Sequence, residues 1–255
     1  MDGLQTWVIN LDRAPERLAR ISQQLQRLAL PFTRLVAVDA HALQGSQRAA
    51  LDEPAYRRKH GMTPVLGELG CYLSHVQALQ QFLASPARFA LVLEDDVLLH
   101  ASLPAVLQGL LQHAQRWDMV KLSAVHSGTP VQVLQVAPGH ALAVMLSRCT
   151  GSSAYLVNRR AAQAYLDPSR GLLPMSLPYD HVFDQGWRFG LKTRLVTPTP
   201  CGHDDQIAST IVAPVGLTRK FHWTRRLPAF AYRLGNEMRR LRYGLGQVVR
   251  EKLSS

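Results

Sequence analysis

Apolar residues near the start of the chain form first a short continuous run and then a helical stripe. The run spans residues 6–11 and has the length of a buried strand. Pro15 and Glu16 follow it, and both residue types are typical of the first turn of a helix. The stripe consists of Leu18, Ile21, Leu25 and Leu28. Because Pro31 ends this helix and a second run follows at residues 32–38, the order predicts a strand–helix–strand opening of a parallel α/β sheet.

The same alternation of strand and helix patterns continues as far as residue 196. Helical spacing predicts helices at residues 67–83, 102–117, 159–166 and 179–189. Apolar runs predict strands at residues 89–93, 119–122, 131–136, 142–146, 154–157 and 191–196, with the third and fourth joined as a hairpin. Residues 40–65 are weakly patterned, which predicts a variable helix and loop. The run at 89–93 is apolar at every position, as expected of a central strand covered on both faces.

The C-terminal segment has a different pattern. From Pro228 onward, apolar residues recur at steps of three and four, and arginines fill many of the other positions. The apolar positions are Phe230, Leu234, Met238, Leu241, Leu245 and Val248. This spacing predicts a basic amphipathic helix. We therefore divide the chain into a domain at residues 1–216 and a helical tail at residues 217–255.

Charge is concentrated in that tail. The formal net charge is +11, and ten Lys or Arg residues against two acidic residues within 217–255 account for +8 of it. The remaining +3 belongs to residues 1–216. A basic nucleic-acid-binding protein is the alternative from another functional class. The small charge of the domain and its lack of interleaved aromatic and basic residues disfavour that class, so we expect no nucleic-acid partner.

The cysteine content and the N-terminal sequence predict a cytoplasmic location. The chain has three cysteines, an odd number, and none has the spacing of a metal or disulfide motif. Such usage fits a reducing compartment. The N-terminus lacks the pattern of a signal peptide, and no apolar stretch approaches the roughly 20 residues that span a bilayer.

The strongest chemical signal is the triplet Glu94-Asp95-Asp96, which directly follows the run at 89–93. Adjacent carboxylates repel one another, and their charged forms are costly where a strand end excludes water. A divalent cation relieves both costs, and Mg²⁺ or Mn²⁺ prefers oxygen ligands. The alternative is an acidic turn in solvent. Ligands of open α/β sheets bind at the carboxyl ends of strands, which favours the cation.

Two further candidates lie upstream of the triplet. Asn10 and Leu11 end the first strand and lead to Arg17 in the following helix, where a nucleotide phosphate could bind; a surface cap is the alternative. The segment Gly67-Glu68-Leu69-Gly70-Cys71 begins a helix that carries Ser74 and His75. Its glycines would allow a ligand to approach closely, whereas a lone helical histidine is more often structural.

A fourth candidate lies in the segment Pro178-Tyr179-Asp180-His181, with Asp184 on the same helical face as Asp180. Either carboxylate could act as a general base or bind an acceptor. Asp180 could equally cap the helix.

These segments occur together and in order, with Gly151-Ser152-Ser153-Ala154-Tyr155 between the third and the fourth. The set resembles glycosyltransferase family 25. That family includes lipooligosaccharide galactosyltransferases of Gram-negative bacteria and collagen galactosyltransferases. The resemblance covers about residues 4–211. Its most specific part is the acidic triplet after an apolar strand, with the Ser74-His75 helix upstream.

The resemblance implies a GT-A-type, Rossmann-like fold whose mixed, mostly parallel sheet is flanked by helices. It implies a UDP-sugar donor, commonly UDP-galactose, a Mn²⁺ or Mg²⁺ ion, and inversion at the anomeric carbon. The implied metal ligands are Asp96, Glu94 and His203, with Asp204 or Asp205 as alternatives to His203. The implied substrate-binding residues are Asn10, Leu11, Arg17, Gly70, Ser74, His75, Glu94, Asp95, Ser153 and Tyr155. Asp180 is the first candidate for the catalytic base and Asp184 the second.

The resemblance also suggests the partners. The acceptor would be a glycan or glycolipid of lipopolysaccharide or lipooligosaccharide biosynthesis, at the cytoplasmic face of the inner membrane. The tail lies outside the resemblance, but as a basic amphipathic helix it would contact an anionic membrane surface, where a glycolipid acceptor resides; the alternative is a helix packed on the domain with its arginines in solvent. The alternative enzyme class is a metal-dependent nucleotidyltransferase or phosphohydrolase that uses the acidic triplet.

Overall fold

A twisted eight-stranded sheet forms the centre of the protein. The computed structural model describes residues 1–203 and 221–253, and the backbone alone of His203. The sheet strands are β1 (Leu4–Asn10), β2 (Thr33–Val36), β3 (Phe89–Glu94), β5 (Met119–Lys121), β6 (Pro130–Ala137), β7 (His140–Met145), β8 (Ala154–Asn158) and β9 (Thr193–Thr197). Their order is β2-β1-β3-β8-β5-β9-β7-β6. The pairings leave only β7 and β8 running against the other six, so the predicted mixed, mostly parallel sheet is confirmed.

Helices cover both faces of this sheet. They are α1 (Pro15–Arg27), α2 (Gly45–Arg48), α3 (Glu53–His60), α4 (Leu66–Ala84), α5 (Leu103–Gln112), α6 (Arg159–Tyr165), α7 (Tyr179–Phe183), α8 (Gly186–Phe189) and α9 (Leu227–Leu253). One apolar core lies between the sheet and α4, α6 and α7, and the other between the sheet and α1 and α5. The strands are therefore buried on both sides, which explains the fully apolar run of β3. Among the described residues no helix combines the length and apolarity needed to cross a membrane.

A second, two-stranded sheet was not predicted. β4 (Val97–Leu99) follows the acidic triplet and pairs antiparallel with β10 (Cys201–His203). The register sets the backbone of His203 opposite Val97, the residue after Asp96. This small sheet therefore makes the acidic triplet a tight connection between two strands and brings a late segment of the chain beside it.

Two predicted helices differ in the structure: one is shorter than its apolar pattern and the other is interrupted. The helix predicted at 102–117 ends at Gln112, and a 3-10 turn follows at Ala114–Arg116. The helix predicted at 179–189 is divided into α7 and α8 by a non-helical Gln185. Gly186 lets α8 approach β9 closely, since a Cβ atom there would lie 2.8 Å from the carbonyl oxygen of Leu191. The apolar pattern continues through the break because both short helices pack on the same core.

The tail is a helix, as predicted, and it packs on the domain through an unexpected face. Helix α9 contacts α3, α8, β6 and β7. Its buried residues are Ala229, Asn236, Arg240, Gly244, Gln247 and Glu251, which form a small and polar stripe. Of the apolar positions predicted for the tail, Phe230, Leu234, Met238, Leu241 and Leu245 are exposed, and Val248 is half-buried. The predicted boundary between the domain and the tail, between residues 216 and 217, lies outside the described residues.

Candidate active site

A cleft of about 390 Å³ opens at the carboxyl ends of β1 and β3. Its walls come from the end of β1, the connection after β2, the first half of α4 and the acidic triplet. The cleft contains Asn10, Leu11, Arg13, Arg17, Val38, His41, Leu66, Gly67, Cys71, Ser74, His75, Glu94, Asp95 and Asp96, among others. This is the edge at which open α/β sheets bind ligands, and the volume suits a small molecule.

Asp95 is the buried anchor of the acidic triplet. Its carboxylate accepts a hydrogen bond from Asn10 Nδ2 at 2.7 Å and pairs with Arg17 at 2.8 Å. Asn10 is itself held, because its Oδ1 accepts a hydrogen bond from Arg34 at 3.0 Å. Burial raises the pKa of the Asp95 carboxyl, and the contacts with Asn10 and Arg17 only partly offset that effect. Both of its oxygens are thus committed to the protein.

Glu94 and Asp96 flank this anchor and are partly open to the cleft, with side chains 29% and 31% exposed. Burial and then the charge of Glu94 raise the pKa of Asp96 to about 6, although Arg17 lies 2.6 Å from its carboxylate and opposes the shift. Arg17 was predicted to face a phosphate; the structure commits it to Asp95 and Asp96 instead. A single guanidinium leaves uncompensated negative charge between Glu94 and Asp96, which is the condition that a divalent cation relieves.

A chain of buried side chains holds Glu94 from the interior of the protein. Its Oε1 lies 3.3 Å from His75 Nε2, and His75 Nδ1 lies 3.2 Å from the hydroxyl of Tyr155. The Tyr155 hydroxyl in turn lies 3.1 Å from that of Tyr179, and the His75 ring stacks on the Tyr179 ring at a centroid distance of 4.1 Å. The ring contact and the two-sided hydrogen bonding fix the orientation of His75 and, through it, of Glu94.

Ser74 and Gly70 hold helix α4 against the connection after β2, which forms part of the cleft wall. The Ser74 hydroxyl donates to the carbonyl of Gly70 at 2.7 Å and accepts from the N–H of Val38 at 2.8 Å. A Cβ atom on Gly70 would lie only 2.7 Å from the carbonyl oxygen of Val38. Ser74 lines the cleft, but Gly70 does not. The predicted role of Gly70 in substrate contact is therefore corrected to close packing between α4 and the connection after β2.

Tyr155 and Ser153 also lie behind the cleft rather than in its wall. Tyr155 is fully buried and reaches the site only through His75. Ser153 bonds the Ser123 hydroxyl at 2.8 Å, and its carbonyl accepts the N–H of Glu94 at 2.7 Å. Both residues were predicted to contact substrate. In the structure they instead hold strand β8 and Glu94 in place.

Asp180 lies at the start of α7, beside the cleft but not among the residues that line it. Its carboxylate accepts the backbone N–H groups of Gly151 and His181, each at 3.0 Å. Burial raises its pKa, but the charges of His181 and Lys121 and these two N–H groups outweigh burial, so the net shift is downward. The charge of Asp180 also helps to raise the pKa of the Cys71 thiol, after burial and Glu94, so it acts on the cleft electrostatically.

Asp184 is separated from the cleft by its partners. Its Oδ2 accepts from Arg240 of helix α9 at 2.6 Å and from the N–H of Cys149 at 3.1 Å. Burial raises its pKa to about 6, against the effects of Lys121 and Arg240. Asp184 was the second candidate for a catalytic base. A carboxylate committed to a buried arginine and a backbone amide is not free to receive a substrate proton, so the structure assigns it to the attachment of α9.

The metal prediction is met in part. Glu94 and Asp96 both face the cleft, and their oxygens suit Mg²⁺ or Mn²⁺. Within the described residues, Cys71, His75 and Glu94 form a compact group whose ligand atoms lie within 4.8 Å of one another. Burial and then the charge of Glu94 raise the pKa of the Cys71 thiol well above its ordinary value. The side chain of His203, with Asp204 and Asp205, lies outside the described part of the chain.

Sequence reasoning missed three residues. Tyr179 was seen only as part of a motif, yet it supports His75. Lys121 is completely buried and donates to the carbonyl of Cys149 at 2.6 Å, between Asp180 and Asp184. A lysine within an otherwise apolar strand was the available signal. Asp39 pairs with Arg13 at the cleft and has its pKa lowered by that contact; no sequence pattern linked the two.

Comparison with known proteins shows the family to which the chain is similar. The family model described as "Glycosyltransferase family 25 (LPS biosynthesis protein)" matches residues 4–183. Procollagen galactosyltransferase 1 of Danio rerio is 29% identical over 181 residues, covering 67% of this chain and 30% of that protein. A probable inactive glycosyltransferase 25 family member 3 of Bos taurus is 26% identical over 191 residues, covering 71% of this chain and 32% of that protein.

A bacterial relative matches over more of its own length. The lacto-N-neotetraose biosynthesis glycosyltransferase LgtB of Neisseria meningitidis serogroup B (strain ATCC BAA-335 / MC58) is 27% identical over 218 residues, covering 79% of this chain and 76% of that protein. The chain thus spans about a third of the length of the two vertebrate relatives and about three quarters of the length of the bacterial one.

Proposed function

The chain belongs to glycosyltransferase family 25, and from this premise we propose that it transfers a sugar from a UDP-sugar to a glycan acceptor with inversion at the anomeric carbon. The observation that carries the proposal is the convergence of Asn10, Glu94 and Asp96 on one cleft at the carboxyl ends of β1 and β3. Galactose is the proposed sugar, because procollagen galactosyltransferase 1 is among the relatives of the chain.

The donor would lie in the cleft with its nucleotide toward the end of β1 and its diphosphate toward the acidic triplet. Glu94 and Asp96 would hold Mn²⁺ or Mg²⁺, with His203 as a further candidate. That ion would supply positive charge to the diphosphate as negative charge builds up on the leaving UDP. Asp95, Asn10 and Arg17 hold the triplet rigidly, so that its carboxylates need little rearrangement when the donor binds.

Asp180 is the proposed general base. The bond between the anomeric carbon and the diphosphate oxygen breaks as the acceptor hydroxyl attacks from the opposite face, and the hydroxyl proton passes to the Asp180 carboxylate. Asp180 is ionised at neutral pH; the downward shift of its pKa makes it a weaker base than an ordinary aspartate, so proton transfer would accompany the breaking of the bond to the diphosphate. Its two backbone hydrogen bonds fix the carboxylate in position for that transfer.

The proposed acceptor is a glycan or glycolipid of lipopolysaccharide or lipooligosaccharide biosynthesis. The support is the description of the family as LPS biosynthesis proteins and the name of the bacterial relative. The three cysteines are all free, which fits a reducing compartment. We therefore assign the reaction to the cytoplasm, at the face of the inner membrane where such an acceptor is presented.

A transfer assay tests the proposal. The protein is incubated with Mn²⁺, UDP-galactose and a panel of oligosaccharide acceptors, and UDP and glycoside product are both quantified. We expect Asp96→Asn to lower kcat/KM by at least about 100-fold, because the diphosphate loses charge stabilisation. Glu16→Gln is the matched control, since Glu16 is an exposed acid on the same helix as Arg17, and we expect its activity within two-fold of the parent.

Other outcomes would contradict the proposal. Near-normal turnover of Asp96→Asn with Mn²⁺ present would overturn the assignment of the triplet. Release of free phosphate, or of uridine monophosphate with a sugar phosphate, in place of a glycoside would favour the hydrolase or nucleotidyltransferase class. A screen of UDP-sugars by thermal shift would identify the donor, because a bound ligand stabilises the folded state.

A further inference from the structure

We propose that the exposed apolar stripe of helix α9 docks the protein on the surface of an anionic lipid bilayer. The stripe consists of Leu227, Phe230, Leu234, Met238, Leu241, Leu245, Val249 and Leu253, with exposed fractions between 44% and 83%, and Trp223 precedes it at 64%. These residues recur at steps of three and four along the whole helix. They therefore form one continuous apolar surface about seven turns long, far more than the scattered exposed apolar residues of an ordinary surface.

The stripe faces outward because the opposite side of α9 is bound firmly to the domain. Arg240 pairs with the buried Asp184 at 2.6 Å. Near the C-terminal end, Glu251 pairs with Arg194, which is fully buried, at 2.8 Å. The hydroxyl of Tyr243 also donates to the carbonyl of Leu191 at 3.0 Å. Rotating α9 to bury its apolar stripe would break each of these contacts, so the orientation is built into the fold.

The charges around the stripe fit an anionic surface. The exposed charged residues of the described tail are basic, namely Arg225, Arg239, Arg242, Arg250 and Lys252. Glu251 is buried and pairs with Arg194 and Arg116 of the domain, whereas Glu237, half-buried with its side chain 41% exposed, pairs with Arg240 of the same helix. An apolar stripe bordered by five exposed cations and one paired carboxylate matches the headgroup region of an anionic bilayer.

The same charges disfavour the main alternative, a second copy of the chain. A symmetric dimer through this stripe would bring Arg239 and Arg242 of one copy toward those of the other. Like charges brought together at an interface oppose association. A lipid surface requires no such juxtaposition, and its negative charge pairs with the same arginines.

Docking through α9 would hold the lipid surface on a helix that contacts the neighbourhood of the proposed base. Arg233 of α9 donates to the carbonyl of His60 at 2.7 Å, and the His60 ring packs against the His181 ring at 5.2 Å. His181 is adjacent to Asp180, the proposed base. One short path of contacts thus connects the lipid-facing helix to the residue that would receive a proton from the acceptor.

Vesicle co-sedimentation of the full chain tests this inference without any sugar transfer, so its result is independent of the proposed activity. Vesicles contain phosphatidylcholine alone or phosphatidylcholine mixed with phosphatidylglycerol. We expect the parent chain to pellet with the mixed vesicles, and the triple variant Leu234→Gln, Met238→Gln, Leu241→Gln to bind at least roughly ten-fold more weakly. Val125→Gln is the control, because Val125 is an exposed apolar residue outside α9, and its binding should equal that of the parent.

Charge is tested with the pair Arg239→Gln, Arg242→Gln, which should weaken binding to the mixed vesicles and reduce its sensitivity to salt. Circular dichroism and thermal melting confirm that each variant is folded, which is expected since all substituted side chains are exposed. Equal pelleting of the parent and the triple variant would overturn the proposal, as would failure of the parent to bind mixed vesicles. A parent dimer that the triple variant dissociates in the absence of lipid would assign the stripe to a second copy instead.

Discussion

At the scale of single residues, the same side-chain type serves opposite purposes a few positions apart. Asp180 and Asp184 are four residues apart, yet one is ionised beside the cleft and the other is locked to Arg240. The difference arises from their partners: backbone N–H groups and nearby cations lower the pKa of Asp180, whereas burial raises that of Asp184 to about 6. The two carboxylates therefore predict different defects when they are replaced.

Asp180→Asn should lower kcat by roughly 100-fold or more, because the amide accepts no proton. It should also lower the melting temperature, because an amide offers one acceptor oxygen to two backbone N–H groups and lacks the charge that the fold favours. Asp184→Asn should change kcat only a few-fold, because Asp184 does not line the cleft. Arg240 keeps Glu237 as a carboxylate partner but loses one charged partner, so we expect the free energy of unfolding to fall by about 1–3 kcal/mol. Urea denaturation and initial-rate kinetics measure both. Equal losses of activity in the two variants would contradict this division of roles.

Tyr155 provides a second test at this scale. Tyr155→Phe removes the hydroxyl that holds His75 Nδ1 while retaining the ring in the core. We expect activity to fall by about ten-fold and the Mn²⁺ concentration needed for half-maximal rate to rise, since the orientation of Glu94 depends on His75. A variant with lower stability but an unchanged Mn²⁺ dependence would show that Tyr155 serves packing alone.

At the scale of elements, two glycines of α9 distinguish its packed side from its open side. A Cβ atom on Gly244 would lie 2.8 Å from the Leu146 side chain and 3.0 Å from the carbonyl oxygen of Met145, whereas one on Gly246 would meet nothing within 4 Å. The small size of Gly244 thus allows the helix to approach β7 closely. Gly246 has no such role and only adds freedom to the unfolded chain.

Gly244→Ala should therefore lower the free energy of unfolding by about 1–3 kcal/mol, because the helix must move away from the sheet. Gly246→Ala should raise it by about 0.5–1 kcal/mol, since alanine favours the helix. Chemical denaturation of the two variants measures both values. If both substitutions were stabilising, α9 would not be packed on the domain as described.

At the scale of the whole molecule, the C-terminal helix is part of the folded domain rather than an appendage. Arg194 of the sheet strand β9 is fully buried and donates hydrogen bonds to Gln247 Oε1 at 2.9 Å and to Glu251 Oε1 at 2.8 Å, near the C-terminal end of α9. These contacts join residues more than 50 positions apart in sequence and attach α9 to the sheet. Any shortened chain without α9 would lack these partners, and for that reason the lipid experiment uses point variants of the full chain.

The adjacent residues Glu251 and Lys252 test this closure. Glu251→Ala leaves Arg194 buried without its carboxylate partner, and we expect the free energy of unfolding to fall by about 3 kcal/mol. Lys252 is exposed, so Lys252→Ala should change it by less than about 0.5 kcal/mol. Thermal and urea unfolding, monitored by circular dichroism, compare the two. Equal stability of both variants would mean that α9 contributes nothing to closing the fold.

The sequence by itself determined the order of most strands and helices, the position of the acidic triplet at the end of β3 and the resemblance to the family, because these follow from local periodicity and short motifs; it missed β4 and β10, which are only three residues long. Only the tertiary structure decided which groups each candidate residue contacts. It commits Arg17 to the triplet, buries Tyr155 behind His75 and joins Asp184 to Arg240. Helical spacing shows which residues of α9 share a stripe, but it does not show which stripe of the helix packs against the domain. That choice depends on Arg194 and Asp184, distant charged groups whose burial is tolerated only because α9 supplies their partners.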